Sequence, residues 1–267
     1  MAERPGTVLT VQRIAQDRQE VGLDQTGAGA SVSEVAARID RDIRALPLRN
    51  TPNVRTVRRR YSRECREADG PFILELAREL VERYGHRWVA YELVGDHQEA
   101  FRSVGEGELE ALGRGMDSWG AVDAFARTLA GPAWRDGQLS GDVIDRWARR
   151  DDRWWRRAAL VSTVALNVRS RGGTGDVLRT LSVCGLLAGD DDDMVVKALS
   201  WALRELVVHD PQAVETFLRE NEQALAPRVL REVRNKLVTG LKNPKRAADG
   251  TGWGSANPRD GACADQG

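Results

Sequence analysis

Arg153-Trp154-Trp155-Arg156-Arg157-Ala158-Ala159-Leu160-Val161 is the stretch on which the fold turns. Read with a helical period, Ala158, Ala159 and Val161 turn inward and leave Arg153, Arg156 and Arg157 on a polar face. Strand-like alternation is absent here and along the rest of the chain. Similar apolar helical segments surround Ala90, Ala124 and Ala198, so the four alanines are spaced by 34, 34 and 40 residues. That spacing lies in the range of helical-pair repeats. One pair cannot bury its own apolar face, so neighbours stack into a solenoid with a concave inner surface. The expected fold is all-α, an α-α superhelix whose inner helices carry the binding residues.

Outward from this stretch, Gly131-Pro132, Gly172-Gly173 and Asp210-Pro211 read as breaks between helices. Ser33 is placed to cap a helix through about Ala45. Pro52 opens the next, with Val54, Val57 and Tyr61 on one stripe. Pro71 opens a third, in which Ile73, Leu76, Ala77, Leu80, Val81 and Tyr84 keep helical spacing. Further helices are expected near 86–95, 106–114, 119–130, 139–149, 152–168, 175–187, 191–208, 211–222 and 227–241. Residues 1–30 and 247–267 lack an apolar face and read as disordered tails around one domain at 31–246.

Composition narrows the function classes. The 267 residues carry 40 basic and 40 acidic side chains, so charge distribution matters more than net charge. No run of eighteen apolar residues occurs, so no spanning helix is expected. The opening MAERPGTVLT has no apolar signal core, which points to a cytoplasmic protein. Cys65, Cys184 and Cys263 are scattered, with neither a disulfide pattern nor zinc-ligand spacing. His86, His97 and His209 form no HExxH pattern, and no glycine-rich nucleotide loop is present. No metal and no cofactor are expected.

Two regions are locally basic. Arg38, Arg41, Arg44, Arg49, Arg55, Arg58, Arg59, Arg60, Arg63 and Arg66 face only Asp40, Asp42 and Glu64. Arg228, Arg231, Arg234, Lys236, Lys242, Lys245 and Arg246 face Glu232 alone. Each cluster reads either as a solvated helix face or as part of a surface for a polyanion.

Trp119 and Asp123 stand four residues apart in Met116-Asp117-Ser118-Trp119-Gly120-Ala121-Val122-Asp123, one turn apart on a helix. Trp201 and Arg204 share a face in the same way, and Trp88 lies near Tyr91. Trp88, Trp134 and Trp147 are expected in the core. Trp119, Trp155 and Trp201 each have a charge within one turn and are expected as exposed or half-exposed platforms. Arginine forks match phosphate oxygens, and aromatics interleaved with arginines suit a nucleic-acid groove.

SWGAVD, DRWWRRAAL and KALSWALRE, in that order, resemble motifs of the AlkD-like DNA glycosylases, bacterial HEAT-like repeat proteins that excise alkylated bases. The resemblance covers about 31–246 and implies that Trp119, Asp123 and Trp201 are catalytic. It implies that Arg157 contacts DNA and Arg204 its backbone; Arg153 and Arg156 join them as DNA-binding candidates. Three departures concern the rim: Ser118 where relatives often carry an aromatic, Asp193 and Met194 where they carry an aromatic pair, and no tyrosine counterpart in 38–48. The function implied is a monomeric glycosylase acting on double-stranded DNA carrying alkylated bases. It would release cationic N3- and N7-alkylated purines in base excision repair without flipping the base. Bulky adducts, as in self-resistance of a toxin producer, belong to the same expectation. Such a base is already a good leaving group, so a carboxylate at Asp123 and aromatic faces at the sugar would suffice. Two other readings stay open: a helical-repeat DNA-binding protein without turnover, and a helical scaffold for a protein partner.

Overall fold

Ser31 and Glu34 start the first helix by capping each other's backbone: the Ser31 Oγ accepts from the Glu34 N–H at 3.3 Å, and Glu34 Oε2 accepts from the Ser31 N–H at 2.8 Å. In this computed structural model, which describes residues 30–244, the cap therefore falls at Ser31 and not at Ser33. Ser33 donates instead to Glu79, at 2.8 Å. Apart from Ala30, the two expected tails lie outside the described residues, as do Lys245 and Arg246.

Caps of the same chemistry start most later helices. Asn50, Asp69, Ser118, Ser140, Asp152, Asp176, Asp192 and Asp210 each accept from a backbone N–H of the first turn. The helices are α1 Val32–Arg44, α2 Thr51–Glu64, α3 Gly70–Glu82, α4 Arg87–Asp96, α5 Gln98–Arg102, α6 Glu106–Gly113 and α7 Trp119–Phe125. A π-helical turn, Ala126–Ala130, joins α7 directly to α8 Gly131–Arg135. Then come α9 Gly141–Ala148, α10 Arg153–Asn167, α11 Val177–Leu186, α12 Asp193–Leu206, α13 Pro211–Glu220 and α14 Pro227–Thr239. No strand occurs among the described residues.

These helices form the expected all-α superhelix in two rows. The first row runs α2, α4, α7 with its π turn and α8, α10, α12 and α14, each packed on the next. The second row, α3, α6, α9, α11 and α13, backs the first. Ala90, Ala158 and Ala198 are fully buried in the first row, and Ala124 is half-buried. The repeat thus reports which helix faces meet. No helix among the described residues is long and apolar enough to cross a membrane.

Gly131-Pro132 is not the break that the sequence suggests. Proline lacks an N–H but is tolerated at the first turn of a helix. Here the chain widens into the π turn, closed by the Gly131 N–H on the Ala126 carbonyl, and Pro132 stands at the start of α8. Gly131 is needed for packing: a Cβ there would stand 2.6 Å from the Ala165 Cβ and 2.7 Å from the Ser162 carbonyl oxygen of α10.

Trp155 also departs from expectation. It is buried, not a platform, at the centre of an aromatic cluster with Phe125 and Trp147, to which Tyr91 is joined through Phe125. Gly113 makes the room, since a Cβ there would meet Trp155 at 2.6 Å. Arg150, the charge beside it, stacks on the indole at 4.5 Å and pairs with Glu110. Trp134 and Trp147 are buried as expected, while Trp88 is half-buried under the Arg55 guanidinium at 4.8 Å.

Candidate active site

The first row brings α7, the π turn, α10 and α12 side by side, and the candidate residues sit on these four elements. Asp123 is held by two parallel hydrogen bonds from Arg157, Nε to Oδ1 and Nη2 to Oδ2, each 2.9 Å long. Arg157 Nη1 donates to the Met194 carbonyl at 2.6 Å. One guanidinium thus ties α7, α10 and α12 together. The fork geometry fixes the plane of the carboxylate as well as its position. Arg157 is 5% exposed, so it does not lie on the open polar face read from the sequence. The Asp123 side chain keeps 15% exposure. A carboxylate has about four acceptor sites, of which Arg157 takes two, so its outer sites remain open.

Arg153 and Arg156 do not share one open face with Arg157 either. Arg156 is mostly buried and binds Asp190 at 2.7 Å and the Asp151 carbonyl at 2.6 Å. Arg153 is exposed, stacks on Trp154 at 4.8 Å and reaches Asp192 at 3.4 Å. The acidic run before α12 lies opposite these arginines and draws them. Arg204 is half-buried, with Nε donating to Ser200 at 3.2 Å and standing 4.0 Å from Glu232. Burial pushes its pKa down from the ordinary guanidinium value, with Glu232 and Glu205 opposing.

The two tryptophans differ in setting. Trp119 opens α7 directly after the Ser118 cap and is 60% exposed, an apolar plane with little to cover it. Trp201 is half-buried, and its indole N–H donates to Glu205 Oε1 at 2.9 Å, which fixes the ring. The Arg127 guanidinium stands 5.5 Å from the Trp201 ring centroid. Arg127, on the π turn, is the residue that sequence reasoning missed. Four residues after Asp123, it looks like an ordinary helical ion-pair partner of that acid, but Arg157 holds both acid oxygens.

Rim positions follow the departures noted above. Ser118 borders a cleft of about 500 Å³ whose other walls include Trp88, Arg87, Gly120 and Ala121. Asp193 is exposed and bound by Lys197 at 2.6 Å and Arg228 at 3.3 Å. The Lys197 hydrogen bond holds its carboxyl below the usual carboxylate range. Cys65 and Cys184 are buried, and burial pushes both thiols up. Among the described residues no cluster of three metal-ligating side chains occurs.

The basic runs are partly spent on acids distant in sequence. Arg55 and Arg58 pair with Glu92, Arg60 with Asp42, Arg228 with Asp193, Arg234 with Glu222 and Lys242 with Glu232. Arg59, Arg63 and Arg66 remain exposed, without a carboxylate partner among the described residues, along a cleft of about 870 Å³.

A two-row helical superhelix with a pinned carboxylate beside exposed indole defines a repeat protein with a chemically equipped face. Comparison with family models matches residues 42–237, most of the chain, to the DNA alkylation repair enzymes. The chain belongs to this family, and its role is in the repair of alkylated DNA. A search of curated proteins returns no match to it.

Proposed function

We propose that the protein is a DNA glycosylase that hydrolyses the N-glycosidic bond of N3- and N7-alkylated purines. The observation that carries this reading is the Asp123–Arg157 pair: a carboxylate fixed by two 2.9 Å bonds, partly open, four residues from an exposed Trp119. Alkylation at N3 or N7 gives the purine a positive charge. When the bond from C1′ to the base breaks, its electrons return to the purine, which leaves neutral without a general acid. The positive charge moves to the sugar as an oxocarbenium ion. A carboxylate already in position stabilises that ion without reorganising, and a partly dry cleft strengthens the interaction. Water then adds to C1′ and gives up one proton, to Asp123 or to solvent. Trp119 and Trp201 offer negative ring faces to the cationic sugar, worth on the order of 1 kcal/mol or more when desolvated.

In this reading Arg157 positions Asp123, a change from the DNA contact implied by resemblance. Arg153, Arg156 and Arg204 are proposed to steer and hold DNA by rearranging from their acidic partners. The reaction calls for no metal and no cofactor. A monomer in the cytoplasm, at the nucleoid, and tolerance of bulky adducts belong to the same proposal. The test is incubation with duplex DNA carrying defined N3 and N7 adducts, followed by analysis of released base. Release by the native chain and loss of release in Asp123→Asn are expected. Salt-sensitive DNA binding with no release would favour a DNA-binding protein without turnover.

A further inference from the structure

Arg127 is a cation beside the site for which the chemistry above has no use. Three buried side-chain atoms lack a hydrogen bond among the described residues: Arg58 Nε, Glu92 Oε2 and Arg127 Nε. The first two stand 2.8 Å from each other as an ion pair. Arg127 has no such neighbour among the described residues. The acids around it are engaged, Asp123 by Arg157 on both oxygens and Glu205 by the Trp201 indole. Its guanidinium stands over Trp201 at 5.5 Å and on the helical rod that carries Asp123. Burial depresses its pKa, and so does Arg171; Asp123 and Glu205 oppose this. Arg171 is exposed on the short 3-10 turn Arg169–Arg171 and has no carboxylate partner among the described residues.

A half-buried cation without a partner is costly in the free protein, and the cost is relieved by an anion that supplies fixed oxygens. A phosphodiester presents two non-bridging oxygens in the geometry a guanidinium fork matches. In a DNA repair enzyme that anion comes with every nucleotide. We propose that Arg127 is a DNA phosphate contact of the site, binding the backbone phosphate that flanks the nucleotide whose sugar meets Trp119 and Trp201. Arg171 widens the same positive patch. The choice of that nucleotide rests on the glycosylase reading; the contact to DNA does not. One face of Trp201 is then occupied by the arginine, and the sugar meets the other face.

The test uses binding, not turnover. A short duplex with a tetrahydrofuran abasic analogue, which cannot react, is titrated with the native chain, Arg127→Met and Arg127→Lys over a range of salt. Arg127→Met should bind about tenfold more weakly at low salt, and its log K against log[salt] slope should shrink by about one phosphate contact. Arg127→Lys should keep the slope. The melting temperature of Arg127→Met should stay level or rise, because an unpartnered cation is removed while the stem on Trp201 is kept; a clear fall would overturn the premise. Replacing single phosphates by neutral methylphosphonates should weaken the native chain at one phosphate flanking the analogue and leave Arg127→Met unchanged there. An unchanged salt slope in Arg127→Met, or identical methylphosphonate profiles, would overturn the proposal. Failure of the native chain to release alkylated bases would sink the glycosylase reading and leave these binding results to be judged on their own.

Discussion

Asp123→Asn keeps the shape of the side chain and removes its charge, which makes it the sharpest probe of the site. In the native chain Arg157 spends Nε and Nη2 on the two Asp123 oxygens and Nη1 on the Met194 carbonyl. Asparagine offers one oxygen to that fork and sets an amide NH₂ against the other N–H. One hydrogen bond to a charged group is lost, worth about 1.5–3 kcal/mol. Full removal of a partner from a buried ion pair costs about 3–5 kcal/mol. The asparagine oxygen and the Met194 carbonyl would still satisfy part of the guanidinium, so the lower range applies, about 2 kcal/mol. For a domain of this size the melting temperature should fall by roughly 4–8 °C. Base release should fall further, by about 100- to 1,000-fold, the usual loss when one preorganised electrostatic group is removed. Single-turnover release from duplex DNA containing 7-methylguanine reads the second effect, and calorimetric melting reads the first. Binding to the abasic-analogue duplex should change little. The double variant Asp123→Asn/Arg157→Met should be less destabilised than the sum of the single variants, because the two side chains form one unit. Native-level release by Asp123→Asn would refute the mechanism. Additive stabilities in the cycle would refute the assignment of Arg157 as the group that positions Asp123.

Trp119→Ala should change stability by no more than about 0.5 kcal/mol, since the ring is 60% exposed, yet slow base release strongly; equal losses in melting and kinetics would contradict a platform role. Trp201→Ala removes a half-buried ring bonded to Glu205 and should lower both melting temperature and release. Gly131→Ala puts a Cβ 2.6 Å from the Ala165 Cβ and should cost on the order of 1–3 kcal/mol by overpacking, measurable by denaturant titration. Burial, and then the hydrogen bond to Asp42, raise the pKa of Tyr61 above the ordinary phenol value. That stabilising contribution is complete below the unfolded phenol value near 10 and is lost as pH rises through the folded value. Stability should therefore decline above about pH 10, and Tyr61→Phe should flatten part of the decline in a pH series of thermal melts.

Local chemistry was legible in the sequence because caps and apolar stripes act over one turn. Ser118, Asp152, Asp192 and Asp210 each start a helix with their own side chains, while the one cap expected by number, Ser33, gives way to Ser31 two residues earlier. The repeat was legible for the same reason that the site exists. Asp123 and Arg157 are 34 residues apart, the spacing of Ala124 and Ala158, so they occupy matching places on neighbouring helices. What could not be read was which charge meets which. Arg228 looks free beside its sequence neighbours but is bound to Asp193, and Arg157 looks exposed until Asp123 arrives from another helix. Burial of Trp155 is invisible in the sequence because the space it fills is made by Gly113, a residue with no side chain to signal a contact. Arg127 gives no signal in the sequence, because helical spacing offers it Asp123, whose two oxygens Arg157 takes in the folded chain.

The π turn at Ala126–Ala130 has one consequence beyond packing. It uses one more residue than an α-helical turn, and each residue of an α-helix advances the face by about 100°. The turn is thus a phase shifter inside a single rod. The half behind it is locked against α10 at Gly131, and the half before it is aimed so that Asp123 meets Arg157. The aim of the site is set by residue count as much as by residue type. A scan of substitutions through 126–130 would miss this. Deleting one residue there other than Arg127 would rewind the turn and swing the carboxylate off its guanidinium, with every functional side chain still present in the chain.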